Sequence, residues 1–239
     1  MSARVVPVIA LAVAALFAGL GYFGGQDVSL YPAEAVAGAP HPGVAAVVIS
    51  GDMGLNIGMG GQVAQRLAAD GIPVVGVNSL SYFRIRRSPA EVAALVDRVT
   101  RQALALPDIS RVVLIGQSFG ADIMPVGVAA LTPELRARVA MIGLVVPART
   151  AEFRASPSEI FNWREPAVDA VPAARALDWV PVTCISGAVE TASLCPALTG
   201  SNVHRVVLPG GHPLRRDVAA VFKVLIGAID DATKGAGPS

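Results

Sequence analysis

The sequence predicts an α/β fold, a doubly wound and mostly parallel sheet, and three observations predict it. Short β-branched runs alternate with longer stretches whose apolar residues recur at helical spacing. The chain has 239 residues, 53% of them hydrophobic and 15% charged, so it is long enough and apolar enough to bury a full core rather than remain disordered. Its apolar residues are dominated by Ala and Val, a composition that suits helices packed on strands buried on both faces.

The elements follow in order. Val44–Ser50 reads as a buried strand. Gly60–Asp70 reads as a helix with Val63, Ala64 and Leu67 inward, stopped by Gly71. Pro73–Val77 is a strand. Pro89–Leu104 is a helix with Val92, Leu95, Val96 and Val99 on one stripe, where Ser88 is an N-cap and Pro89 takes the first helical position. Strand Arg111–Ile115, helix Phe119–Leu131 and strand Val139–Val146 come next. From Pro147 to Val180 the pattern lapses into an irregular stretch containing Phe153, Phe161 and Trp163, which reads as a reduced lid region. Strands Pro181–Ser186 and Val203–Leu208 and a closing helix Asp217–Ile229 complete the alternation. Right-handed crossovers between parallel strands put ligand-binding residues at the carboxyl ends of the strands.

Before this domain, Met1 to Arg4 is a short basic start and Val5 to Phe23 is almost uninterruptedly apolar, about the length that crosses a bilayer. The segment is either an uncleaved signal anchor or a cleaved signal peptide, and in both cases the remainder is exported, since Arg4 stays on the cytoplasmic side. The expected organisation is therefore a signal or anchor over 1–25, a Pro-, Gly- and Ala-rich linker over 26–43 with a solvated His41, the catalytic-type domain over 44–232, and a disordered tail over 233–239. Cys184 and Cys195 are an even pair in an oxidising address. They read as a disulfide, or alternatively as two unrelated buried thiols.

Gly116-Gln117-Ser118-Phe119-Gly120 follows a β-branched strand and opens a helix, the setting of a nucleophile elbow in an α/β-hydrolase-like sheet. A serine there needs a base, and the chain has three histidines. His204 begins a strand, whereas His212 follows the last strand at its carboxyl end, where the base belongs. Glu190 is the only acid between the penultimate strand and His212, and it would orient the imidazole. The oxyanion donors are expected at the backbone N–H of Phe119 and at Asp52 or Met53 in the loop after the first strand. Arg84, Arg86 and Arg87 follow the second strand and are candidates to grip a substrate phosphate.

Other chemistry is excluded or unsupported. The net charge of +1, with no basic stripe interleaved with aromatics, argues against a nucleic-acid binder. Neither cysteine stands at metal-ligand spacing from a histidine, and no cofactor motif is present. A rival from another class is a non-catalytic periplasmic binding or chaperone component of a secretion system built on the same fold.

Taken together, Ser50-Gly51-Asp52, Pro73 through Leu80 with Tyr82-Phe83, the elbow with Ala121, Asp122 and Pro125, Cys184 with Cys195-Pro196, and Leu208-Pro209-Gly210-Gly211-His212 resemble the bacterial VirJ and AcvB virulence proteins. The resemblance runs from about Val44 to the end. It implies a periplasmic α/β hydrolase acting as an esterase on the aminoacyl ester of aminoacylated phosphatidylglycerol, such as lysyl-phosphatidylglycerol. It also implies the inner-membrane surface and secretion-system proteins as partners. The chain departs from the family at Pro213-Leu214-Arg215-Arg216 after the histidine, at Ala192, and at Met53-Gly54-Leu55 after the first strand.

Overall fold

The computed structural model describes residues 25–36, 40–155 and 167–234, together with 11, 15 and 18. Most of the expected signal or anchor segment, Phe161, Trp163 and most of the C-terminal tail therefore lie outside the described residues. So does the middle of the stretch expected to form a reduced lid.

Seven strands form one sheet in the order β1-β3-β2-β4-β5-β8-β9. They are β1 (Val28–Tyr31), β2 (Val44–Ile49), β3 (Val74–Val77), β4 (Arg111–Gln117), β5 (Val139–Val145), β8 (Val182–Gly187) and β9 (Val203–Leu208). All neighbours are parallel except β1, which runs antiparallel to β3. Two short strands, β6 (Thr150–Ala151) and β7 (Val168–Asp169), pair as a separate ribbon in the stretch expected to be irregular.

Because side chains alternate across a strand, β2 sends Ala45, Val47 and Ile49 to one core and Val44, Ala46 and Val48 to the other. The first core is closed by α2 (Pro89–Leu104) and α3 (Phe119–Val128), the second by α1 (Met59–Ala69) and α4 (Val218–Thr233). Both faces are covered, as a parallel sheet requires. Helix α2 buries the predicted stripe Val92, Leu95, Val96 and Val99, each side chain contributing roughly 1.5–3 kcal/mol of transfer free energy. It starts with a full capping box: Glu91 N–H donates to Ser88 Oγ at 3.2 Å, and Ser88 N–H donates to Glu91 Oε2 at 2.8 Å.

Two expectations for the segment 26–43 are corrected. It carries β1, whose register Val28↔Val77 to Tyr31↔Val74 adds an edge strand to the sheet. His41 is 6% exposed, not solvated. Its Nε2 lies 3.4 Å from Asp70 Oδ2 and its Nδ1 lies 3.7 Å from Asp230 Oδ1, so it joins the end of α1 to α4 at the base of the sheet. The physical reason is common to both: the chain runs along the sheet edge before turning into β2, so it pairs with β3 there and carries His41 between Asp70 and Asp230.

Candidate active site

Strand β4 ends at Gln117 and α3 begins at Phe119, which leaves Ser118 alone at the junction with φ 52° and ψ −122°. For a non-glycine residue this left-handed backbone costs of order 1–3 kcal/mol, and it persists only where the surroundings impose it. Here they do. Ser118 N–H donates to the Val145 carbonyl at 2.8 Å, and the Ser118 carbonyl accepts from Ala121 N–H at 2.7 Å and Asp122 N–H at 3.0 Å. The glycines of the motif allow the close approach. A Cβ on Gly116 would stand 2.5 Å from the Gly120 carbonyl oxygen, and one on Gly120 would run into the carbonyls of Ile49 and Ser50.

The loops after β8 and β9 bring in the other two groups. Ala188 N–H donates to Leu208 O at 2.9 Å and Val189 N–H donates to Gly210 O at 3.1 Å, so the two loops are laced together by their backbones. A Cβ on Gly187 would meet the Gly210 and Gly211 carbonyls at 2.7 and 2.5 Å, which is why that lacing needs glycine there. Glu190 and His212 meet as a result. His212 Nδ1 lies 2.7 Å from Glu190 Oε1, and His212 Nε2 lies 2.7 Å from Ser118 Oγ. Glu190 Oε2 also accepts from Gly187 N–H at 3.2 Å. With the ring proton on Nδ1 donated to the carboxylate, Nε2 is left as an acceptor for the serine hydroxyl.

Exposure within the site is graded. The Glu190 side chain is 8% exposed and that of His212 47%, so the carboxylate is enclosed while the imidazole opens to incoming molecules.

The segment carrying Glu190 is fixed at both ends. Cys184, on β8, is bonded to Cys195, with the Cα atoms 5.6 Å apart, and the bridge encloses Glu190. Leu194 N–H also donates to Pro147 O at 2.8 Å and Arg149 N–H to Ala192 O at 3.2 Å, so the exit loop of β5 supports the same segment.

The loop after β2 forms the wall facing the serine. Gly51 N–H donates to Gln117 Oε1 at 3.2 Å, so that amide is occupied, and Asp52 and Met53 remain as the loop's candidate oxyanion donors beside Phe119 N–H at the start of α3. Ser79 N–H donates to Ser50 Oγ at 3.0 Å and Ser79 Oγ–H donates to Ser50 O at 2.6 Å, which bolts this loop to the one after β3. Gln117 and Ser79 escape a motif reading because only the tertiary contact gives them a role. Gln117 occupies the free position of the elbow, and Ser79 has no motif at all.

The three arginines do not act as a set. Arg87 is committed to the structure: its Nε–H donates to Tyr82 O at 3.1 Å, its Nη1 lies 3.1 Å from Glu91 Oε1, and its guanidinium stacks 4.4 Å above the Tyr82 ring. Arg84 and Arg86 are exposed on the same loop. Arg86 borders an open depression of about 510 Å³ shared with Ser88, Phe153 and Val168. His204 is exposed on β9 and His41 lies at the base of the sheet, so neither joins the serine.

A sheet of this order with a serine elbow, a histidine after the last strand and an acid after the penultimate one defines the α/β-hydrolase fold. The chain belongs to the bacterial virulence protein (VirJ) family, whose model matches residues 43–233. A search of curated proteins finds no match. Among solved structures it is similar to the α/β hydrolase GrgF from Penicillium sp. sh18, at 11% identity over 86% of this chain and 93% of that one, with a TM-score of 0.63. It is also similar to Est1E from Butyrivibrio proteoclasticus, at 14% identity over 84% and 93% of the two chains, TM-score 0.58. A third is the esterase Pf2001 from Pyrococcus furiosus, at 14% identity over 80% and 81%, TM-score 0.56.

Proposed function

We propose that the chain is an exported serine esterase, and that its substrate is the aminoacyl ester of an aminoacylated phosphatidylglycerol such as lysyl-phosphatidylglycerol. The observation that carries the reaction type is the continuous hydrogen-bonded line Ser118–His212–Glu190. Ser118 Oγ attacks the ester carbonyl carbon while its proton passes to His212 Nε2, and Glu190 stabilises the imidazolium that forms. The tetrahedral oxyanion accepts from the Phe119 amide and an amide of Asp52 or Met53. His212 then gives the proton to the leaving glycerol oxygen. Water, activated by the same imidazole, frees the aminoacyl group from the serine.

The substrate class rests on the family resemblance, and the exposed Arg84 and Arg86 supply cations suited to the lipid phosphate. Export to the periplasm is supported by the apolar N-terminal run and by the Cys184–Cys195 disulfide, since such bonds persist in oxidising compartments.

The test is release of free lysine from vesicles containing lysyl-phosphatidylglycerol, by the full chain and by Ser118→Ala. The expectation is release by the first and a loss of about 10³-fold or more in the second. Hydrolysis of simple esters without lysine release would move the substrate to another ester. A chain inert toward both would make it a binding component of a secretion system instead.

A further inference from the structure

We infer that the mouth of the site is itself a docking surface for an anionic phospholipid bilayer, so that the enzyme works face-down on the membrane. This extends the reading above but does not depend on its chemistry. Three independent features converge on the carboxyl end of the sheet.

The first is an apolar rim. Met53 and Ile57 after β2, Ile85 after β3 and Val189 after β8 are 48%, 54%, 55% and 75% exposed. Large aliphatic side chains held in water around a site opening are otherwise a cost to solubility, and a rim of them marks an interaction surface. Other exposed aliphatic side chains, Leu30 at 51% and Val207 at 64%, stand singly on the two edge strands β1 and β9.

The second is charge. Arg215 and Arg216 follow His212 in a turn whose residues Leu214, Arg215 and Arg216 all have positive φ, at 46°, 53° and 58°. Both arginines are exposed, and among the described residues neither has an ion pair. Asp217 beside them is engaged as the cap of α4, its Oδ1 accepting from Ala220 N–H at 2.9 Å. A fixed turn thus holds two guanidinium groups next to the apolar rim, the pairing of aliphatic and cationic groups that a negatively charged lipid surface recognises.

The third is the path of the N-terminus. Because β1 is antiparallel, its first residue pairs with the last residue of β3, Val28 with Val77, and the chain enters the domain at the mouth. Asn78 N–H donates to Asp27 O at 2.9 Å, and the Ser81 hydroxyl lies 2.6 Å from Asp27 Oδ1 and 2.9 Å from the Gly25 carbonyl, which pins Gly25 to Asp27 there. The apolar run Val5 to Phe23 ends immediately upstream. The described chain thus joins that run at the mouth end of the sheet.

The experiment uses the full chain carrying Ser118→Ala, so that docking is read without turnover. Single cysteines at Ile57→Cys and Val189→Cys, and at Glu134→Cys on the opposite end, carry an environment-sensitive fluorophore. The chains are mixed with vesicles of phosphatidylglycerol and phosphatidylcholine that contain a lipid-borne quencher. The expected result is a blue shift and quenching at 57 and 189 and neither at 134, with both effects reduced by Arg215→Gln/Arg216→Gln and by vesicles of phosphatidylcholine alone. Labels at 57 and 189 that stay accessible to aqueous iodide, or a label at 134 quenched as strongly, would overturn the docking. Quenching that is indifferent to the two arginines and to lipid charge would overturn the anionic recognition.

Discussion

Glu190 Oε1 and His212 Nδ1 stand 2.7 Å apart although they come from separate loops, because backbone hydrogen bonds from Ala188 to Leu208 and from Val189 to Gly210 fasten those loops to each other. The acid and base are thus preset relative to one another, and Ser118 is set by its own strand. The two halves of the line can be perturbed separately.

His212→Ala should lower kcat by at least about 10³-fold, as much as loss of the serine, because members of such a set act as a unit. Glu190→Gln should cost less, since Gly187 N–H and the loop lacing still hold the segment and the imidazole keeps part of its orientation. Steady-state kinetics on a soluble ester distinguish the two. Equal turnover in Glu190→Gln and wild type would remove Glu190 from the mechanism.

The backbone at Ser118 is strained for the sake of the elbow, so its removal has a signature in stability. Ser118→Gly should be more stable than Ser118→Ala by about 1 kcal/mol, the relief of a left-handed conformation less the larger entropy of glycine in the unfolded chain. Urea denaturation of the two variants measures the difference. Gly120→Ala should behave oppositely, losing about 1–3 kcal/mol, because its Cβ has no room beside Ile49 and Ser50.

Gln117→Ala frees the Gly51 amide and loosens the loop that carries the second oxyanion donor. One hydrogen bond of this kind is worth about 1 kcal/mol, so kcat should fall roughly fivefold with KM little changed. A change confined to KM would show that the loop binds substrate rather than supporting the transition state.

Cys195→Ser opens the bridge around Glu190. The closed segment is short, at a sequence separation of 11, and its loss should lower stability by about 2–3 kcal/mol in the chain-entropy model. Turnover should drop as well, while reactivity of Ser118 toward a phosphonate changes less, because β5 separates its strand β4 from β8. Protein isolated from an oxidising compartment should show no alkylatable thiol after denaturation.

Most of the sheet was legible because its strands are buried on both faces and written as β-branched runs, and helix α2 was bounded correctly by Ser88 and Pro89 at its start. The elbow and His212 were legible for a different reason: the chemistry ties a residue type to a strand end. What escaped reading depends on long-range contact. Strand β1 is four residues at a sheet edge, with Ser29 and Tyr31 interrupting its apolar character, so its pairing with β3 leaves little local trace. His41 looks like a linker residue until Asp70 and Asp230, far apart in sequence, close around it. Arg87 looks like part of a cationic cluster until Tyr82 and Glu91 claim it.

The most direct test of the central claim is covalent labelling of the full chain with a fluorophosphonate, followed by peptide mass spectrometry. The account predicts one modified residue, Ser118, with labelling abolished in Ser118→Ala and sharply slowed in His212→Ala. A wild-type chain that takes up no label, or that is labelled on another serine while Ser118 stays unmodified, would contradict it.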